Sequence, residues 1–154
     1  MTKEIERKFL IDRKKAFTFV NSKKATKLEI EQFYISLEPE FRFRRTISDS
    51  ETTYVKAEKS QPALERIEIE TESSMTEYEN LIIASSLVIN KRRYVIDGME
   101  FDFYPDGLAI MEKEYSSIKE AKEDHLNFDF IQKEVTGDKY YSNAQIALRN
   151  SKRA

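Results

Sequence analysis

Charged and apolar positions alternate through "EIERKFLI", Glu4 to Ile11. In an extended chain successive side chains point to opposite faces, so Glu4, Glu6 and Lys8 share one face and Ile5, Arg7, Phe9 and Ile11 the other. From Asp12 to about Lys24 the period changes, with Ala16, Phe17 and Val20 set among lysines as in a short amphipathic helix. Period-two runs return at Leu28 to Leu37 and Phe41 to Ile47, around the turn Glu38-Pro39-Glu40, and at Thr52 to Lys59 and Leu64 to Glu72, around Gln61-Pro62. Thr76-Glu77-Tyr78-Glu79 has the capping-box form and predicts a helix through Leu81 and Ile82. Ile89 to Ile96, Met99 to Tyr104 and Leu108 to Tyr115 read as a meander turned by Asp97-Gly98 and Pro105-Asp106-Gly107. Ser117 to Glu120 caps another short helix, and Asn143 precedes a last one, Ala144 to Leu148, with Arg149, Lys152 and Arg153 as its basic end.

Strands interrupted by short helices, without linker or repeat, predict one α+β domain over residues 1–154. The charge content is high but balanced: 26 basic and 28 acidic residues give a net −2, which argues against nucleic acid or an anionic membrane as partner. No apolar leader or membrane-length segment is present, so the expected location is the cytoplasm. With no cysteine there is no thiolate nucleophile or Cys-based zinc site. The one histidine, His125, falls in a charged, helix-like stretch and reads as a surface residue.

The charged faces recur in nearly every strand. Arg42 and Arg44 align opposite Phe41 and Phe43; Lys56 aligns with Tyr54 and Glu58; Arg66, Glu68 and Glu70 align against Ile67 and Ile69. In the meander, Lys91 aligns with Arg93, Glu100 with Asp102 against Phe101 and Phe103, and Glu112 with Glu114. An antiparallel sheet with its charged face in water would account for this alternation alone. The helices must pack on the apolar sides, however, so the charged sides can also face one another across a closed barrel. Dehydrating each ion would cost on the order of several kcal/mol, so such a lumen must be wet and internally paired. Arg and Lys match phosphate oxygens and clustered carboxylates match hard cations such as Mg²⁺, so the mixture points to metal plus polyphosphate. With only 3 glycines and no Walker-type loop, side chains must hold the phosphates.

These residues resemble the CYTH, or triphosphate tunnel metalloenzyme, family. Its hallmark Glu-x-Glu-x-Lys stands here as Glu4-Ile5-Glu6-Arg7-Lys8, and the likeness continues through Gln32 and Tyr34, "FRFRR", "TYVKAEK", "LERIEIE", "NKRRYVIDGMEFDFY", "IMEKEY" and "EVTGDKYYSNAQIA" over essentially the whole chain. The resemblance implies a closed antiparallel eight-stranded β-barrel, the tunnel, with helices packed outside. It implies Glu4, Glu6, Glu112 and Glu114 as ligands of two Mg²⁺ or Mn²⁺ ions, with Glu4, Glu6 and Lys8 at the chemistry. Triphosphate contacts fall on Lys8, Arg42, Arg44, Lys56, Arg66, Lys91, Arg93 and Lys139; Glu68, Glu70 and Asp102 are supporting carboxylates, and the role of Glu100 stays open. Phe33 stands where a glycine is common between Gln32 and Tyr34, and Lys139 stands where an arginine is common.

The activity so implied is metal-dependent hydrolysis of a small triphosphate, foremost inorganic tripolyphosphate to pyrophosphate and phosphate, with Lys8 either on the phosphates or on the attacking water. Alternatives are a class IV-type adenylate cyclase, a thiamine or nucleoside triphosphatase, and a non-catalytic polyphosphate-binding module. A monomer and a homodimer are both compatible with the sequence.

Overall fold

A computed structural model describes residues 2–151. The strands are β1 (Thr2–Ile11), β2 (Thr26–Leu37), β3 (Glu40–Ile47), β4 (Thr52–Lys59), β5 (Glu65–Glu72), β6 (Val88–Ile96), β7 (Met99–Phe103), β8 (Ala109–Glu114) and β9 (Ile131–Glu134). The helices are α1 (Arg13–Asn21), α2 (Met75–Ile82), α3 (Ile118–Glu123) and α4 (Asn143–Ser151). Antiparallel pairing runs β1-β5-β4-β3-β2-β6-β7-β8 and back to β1, closing an eight-stranded barrel. β1 divides one edge between two partners: residues 2–5 pair with β5, and residues 9–11 with the extra strand β9. Between them the Glu6 N–H donates to the Leu64 carbonyl (3.1 Å), the Lys8 N–H to Thr136 Oγ1 (3.0 Å), and the Lys8 carbonyl accepts from the Val135 N–H (2.8 Å), so the edge stays hydrogen-bonded across the fork.

Local chemistry sets most element ends. Asp12 and Ser117 cap α1 and α3 by accepting from the Lys15 and Glu120 N–H groups. The second helix starts earlier than its sequence suggested: Ser74, not Thr76, is the cap and accepts from the Glu77 N–H. Glu77 then turns outward to accept from Ser73 and Lys56. Asp97 and Gly98, at φ 50° and 74°, form the tight β6–β7 turn, a conformation that Asp and Gly tolerate. His125 is exposed in the loop after α3, not on a helix. β9 had no counterpart in the alternation pattern, being only four residues long, and Lys152 and Arg153 lie outside the described residues.

Helices cover much of the apolar outward faces of the strands, while Ile67 and Ile69 of β5 stay exposed. α1 packs Ala16, Val20 and Phe19 onto Phe9, Met99, Phe101 and Met111, with Phe130 closing the side. Tyr78 of α2 seats against Phe33 (5.1 Å between ring centres) and Tyr54 (5.3 Å). The third cluster lies at one end of the barrel: Ala144, Ile146 and Ala147 of α4 pack on Tyr34, Ile89, Tyr104 and Ile110. These four share the parity of the charged inward residues, so an apolar layer caps a charged one.

Beneath that layer is a buried ionic knot. Asp102, 1% exposed, accepts two hydrogen bonds from Arg93 (Nε 2.7 Å, Nη2 2.9 Å), and Lys91 Nζ reaches its Oδ2 at 2.8 Å. Burial alone would raise the Asp102 pKa, but Arg93 and Lys91 overcome it and hold it at about 2. Burial, aided by the neighbouring Arg93 and Arg44, lowers the Lys91 ammonium to about 7 against the pull of Asp102. One carboxylate therefore serves two cations.

Phe101→Ala should destabilise the protein by about 3–5 kcal/mol in urea denaturation, since the ring is fully buried between α1 and Phe130; Ile83→Ala, at an 85% exposed position, should change it by less than about 0.5 kcal/mol. Asp102→Asn should cost about 3–5 kcal/mol near neutral pH because Lys91 loses its counter-charge and Arg93 keeps only Glu100. A carboxylate whose pKa is depressed on folding contributes fully above its unfolded pKa, about 4, and loses that contribution as the pH falls through its folded value. The stability gap between wild type and Asp102→Asn should therefore narrow from about pH 4 toward the folded value of about 2.

Candidate active site: a charged cavity inside the barrel

The alternation that puts Phe and Ile under the helices turns the charged side chains inward, around a cavity of about 220 Å³. Eight carboxylates and six cations line it, with Gln32, Tyr34 and Asn143. Among the described residues no aliphatic side chain lines it, and Tyr34 is its one aromatic residue.

One wall is acidic. The β1–β8 register places Glu6 opposite Glu114, a like-charge pair that a sheet ordinarily avoids, and Lys8 opposite Glu112, which it pairs. Carboxylate oxygens of Glu4, Glu6 and Glu114 lie within 4.8 Å of one another, as do those of Glu6, Glu100 and Glu112. Burial, then repulsion from Glu112 and Glu4, pushes the Glu6 pKa well above the carboxylate range. Glu114 is raised by burial and by Glu4 and Glu112. Glu112 moves the other way: burial would raise it, but Lys8 (Nζ at 3.4 Å), Arg93 and Lys91 hold it far down.

The opposite wall is basic. Arg42, only 3% exposed, directs Nη2 at Glu68 (3.4 Å) and Glu70 (3.6 Å), while its Nη1 is buried with no hydrogen-bond partner. Arg44 donates from Nε to Gln32 Oε1 (3.0 Å). Lys59 bridges Glu4 (3.2 Å) and Glu68 (3.1 Å), and Arg66 pairs with Glu40 (3.1 Å) while donating to the Ser60 carbonyl. Arg93 presents Nη1 to Glu100 at 3.0 Å from the ionic knot.

The structure thus gathers Glu4, Glu6, Lys8, Arg42, Arg44, Arg66, Glu68, Glu70, Arg93, Glu112 and Glu114 around one cavity. Three expected triphosphate contacts and one supporting carboxylate lie elsewhere. Lys56 faces outward and pairs with Glu77 of α2 at 3.3 Å, because it shares a face with Tyr54, which packs under that helix. Lys59, three residues on and therefore on the other face, takes the inward place. The aromatic at position 54 was the signal that could have distinguished the two lysines. Lys91 and Asp102 sit behind the wall, where Lys91 is held by Asp102 and donates to Asn143 Oδ1 (3.3 Å). Lys139 lies in a short 3-10 turn beside a separate 30 Å³ hollow near Glu38 and Gln61. Glu40, Glu100 and Asn143 complete the lining; Glu40 was hidden in a turn, and Asn143 at a helix start.

No protein-family model and no curated protein sequence matches the chain. Among solved structures, the inorganic triphosphatase NE1496 is 26% identical, with 96% of each chain covered and a TM-score of 0.61. A second structure of NE1496, described there as a hypothetical protein, is also 26% identical, covering 94% of this chain and 97% of that one with a TM-score of 0.61. The PH1819 protein from Pyrococcus horikoshii OT3 shares the fold at 17% identity, 76% and 80% coverage and a TM-score of 0.57. With its eight strands closed around inward-facing charges, the chain has the CYTH, or triphosphate-tunnel, fold.

Proposed function

We propose that the protein is a divalent-metal-dependent hydrolase that cleaves inorganic tripolyphosphate to pyrophosphate and phosphate. The observation that carries this reading is the two-sided cavity: a wall of crowded carboxylates faces guanidinium groups with donors to spare, inside about 220 Å³. Water adds to the terminal phosphorus, the bridging P–O bond breaks, and the departing pyrophosphate takes the bonding pair.

The donor set fits a hard cation. All the converging ligands are carboxylate oxygens, and the repulsion that raises Glu6 and Glu114 is what a divalent ion would relieve. Glu4, Glu6 and Glu114 would hold one Mg²⁺ or Mn²⁺ ion, and Glu6, Glu100 and Glu112 form a second set of the same kind. Such ions polarise phosphoryl oxygens and lower the pKa of bound water. The chain's own groups do the rest. Arg42 and Arg44 bind phosphoryl oxygens and offset charge as it shifts toward the leaving group. Lys8 stands beside Glu112 at the metal wall, where it can meet either a phosphate oxygen or the attacking water. Lys59 would move from Glu4 to the substrate once that carboxylate is engaged. A lining with one aromatic and no aliphatic side chain offers an adenine or thiazolium ring little apolar contact, which favours the inorganic substrate over ATP or thiamine triphosphate.

The likeness to NE1496 over nearly the whole of both chains supports the same reading. Glu4→Gln should lower tripolyphosphate hydrolysis in Mg²⁺ or Mn²⁺ by about 100-fold or more and weaken metal binding in calorimetry, with an unchanged circular dichroism spectrum. ATP should be turned over at least about tenfold less efficiently, by kcat/KM, than tripolyphosphate. Because carboxylates outnumber cations around the cavity, tripolyphosphate should not bind measurably in excess chelator and should bind when Mg²⁺ is restored. Tight binding in chelator would instead favour a silent anion-binding module.

A further inference from the structure

Arg44 differs from every other cation lining the cavity. Lys8, Arg42, Lys59, Arg66 and Arg93 each lie within 3.4 Å of a carboxylate oxygen. Among the described residues Arg44 has no ion-pair partner, and its one side-chain acceptor is the neutral amide of Gln32, directly across the β2–β3 ladder. Gln32 is completely buried, and both ends of its amide are used: Oε1 accepts from Arg44 Nε at 3.0 Å, and Nε2 donates to the Tyr34 hydroxyl oxygen at 2.9 Å. A guanidinium can only donate, so the amide orientation is determined by Arg44. The Tyr34 oxygen must then accept from Gln32 Nε2.

We propose that Gln32 is a positioning residue whose neutrality, as much as its hydrogen bond, sets the anion affinity of the cavity: it aims Arg44 without cancelling its charge. Two facts support this. A carboxylate at this place would be nearly isosteric and would bind the guanidinium more strongly, so stability alone does not favour the amide. Burial, together with repulsion from Arg42 and Arg93, lowers the Arg44 pKa to about 10, so the group stays charged near neutral pH in surroundings that do not compensate it. A cation held in that condition attracts an anion more strongly than one already paired. The inference rests on the polyphosphate reading of the site.

The test compares Gln32→Glu and Gln32→Met with wild type, by steady-state kinetics on tripolyphosphate, by calorimetric binding of its non-hydrolysable imido analogue with Mg²⁺, and by thermal denaturation. Glutamate keeps the bond from Arg44 and cancels its charge; methionine loses the bond and leaves the charge. The expected order of KM, and of analogue Kd, is wild type, then Gln32→Met, then Gln32→Glu, with Gln32→Glu at least tenfold above wild type. Gln32→Glu should melt no lower than Gln32→Met. If methionine impairs binding as much as glutamate or more, Gln32 serves only packing and hydrogen bonding, and the assignment is overturned. If Gln32→Glu does not fold, a Gln32→Met KM within twofold of wild type overturns it, and a larger rise without a matching change in kcat supports it. A wild type that binds neither tripolyphosphate nor the analogue with Mg²⁺ overturns the proposed function and this assignment together; a wild type that binds both, with Gln32→Glu unchanged, overturns this assignment alone.

Discussion

A charge inside a closed barrel must find an opposite charge or a ligand, and this constraint organises the molecule. Fourteen charged side chains of the described residues line the cavity, and dehydrating each without a partner would cost on the order of several kcal/mol. The fold answers with pairs that cross between strands: Lys8 with Glu112, Lys59 with Glu4 and Glu68, Arg66 with Glu40, Arg93 with Glu100. Each pair fastens one strand of the barrel to another. The β1 fork is central to this arrangement, since by meeting β5 and β8 in turn it brings Glu4, Glu6 and Lys8 between Glu112 and Glu114 of β8 and Arg66 and Glu68 of β5.

Charges inside also invert the ordinary plan of a small barrel. Apolar side chains face outward and need cover, which explains helices that are short and closely seated. Ala16, Ala121 and Ala147 are each completely buried, so the helix backbones approach the sheet where larger side chains would hold them away. Aromatic rings fill the remaining depth, as where Phe19 meets Phe101, Phe128 and Phe130 at 5.2 to 5.7 Å between centres. At one barrel end the plan reverts, and α4 supplies the apolar floor on which Asn143 meets Lys91 and Tyr104.

Much of this was legible in the alternation. A period of two separates the faces of a strand without reference to any other strand, so Arg42 with Arg44, Glu68 with Glu70 and Glu112 with Glu114 could be grouped from sequence. What parity cannot say is which face turns inward. That depends on where a helix lands: on β4, Tyr54 packs under α2 and turns Lys56 outward with it, so Lys59 rather than Lys56 faces the cavity. Depth was illegible too. Lys91 and Arg93 share a face, yet only Arg93 reaches the cavity, because Asp102 and Asn143 hold Lys91 behind it. Glu40 and Asn143 come to the site from a turn and a helix start, where no periodicity marks them.

The pairing is also incomplete in a particular way. A network selected only for stability would leave no buried guanidinium nitrogen bare and no two carboxylates pressed together. Among the described residues, Arg42 Nη1 has no acceptor, Arg44 donates only to an amide, and Glu6 faces Glu4 and Glu112 without enough cations to neutralise all three. The deficits are separated in space: spare donors on the β3 wall, surplus carboxylate on the β1–β8 wall. An anion alone would satisfy the first and aggravate the second, and a cation alone would do the reverse. The proposed ligand, a metal-complexed polyanion, would carry both charges and remove both costs together, and on that reading the protein gives up stability in its free state to the extent that it is shaped for that ligand.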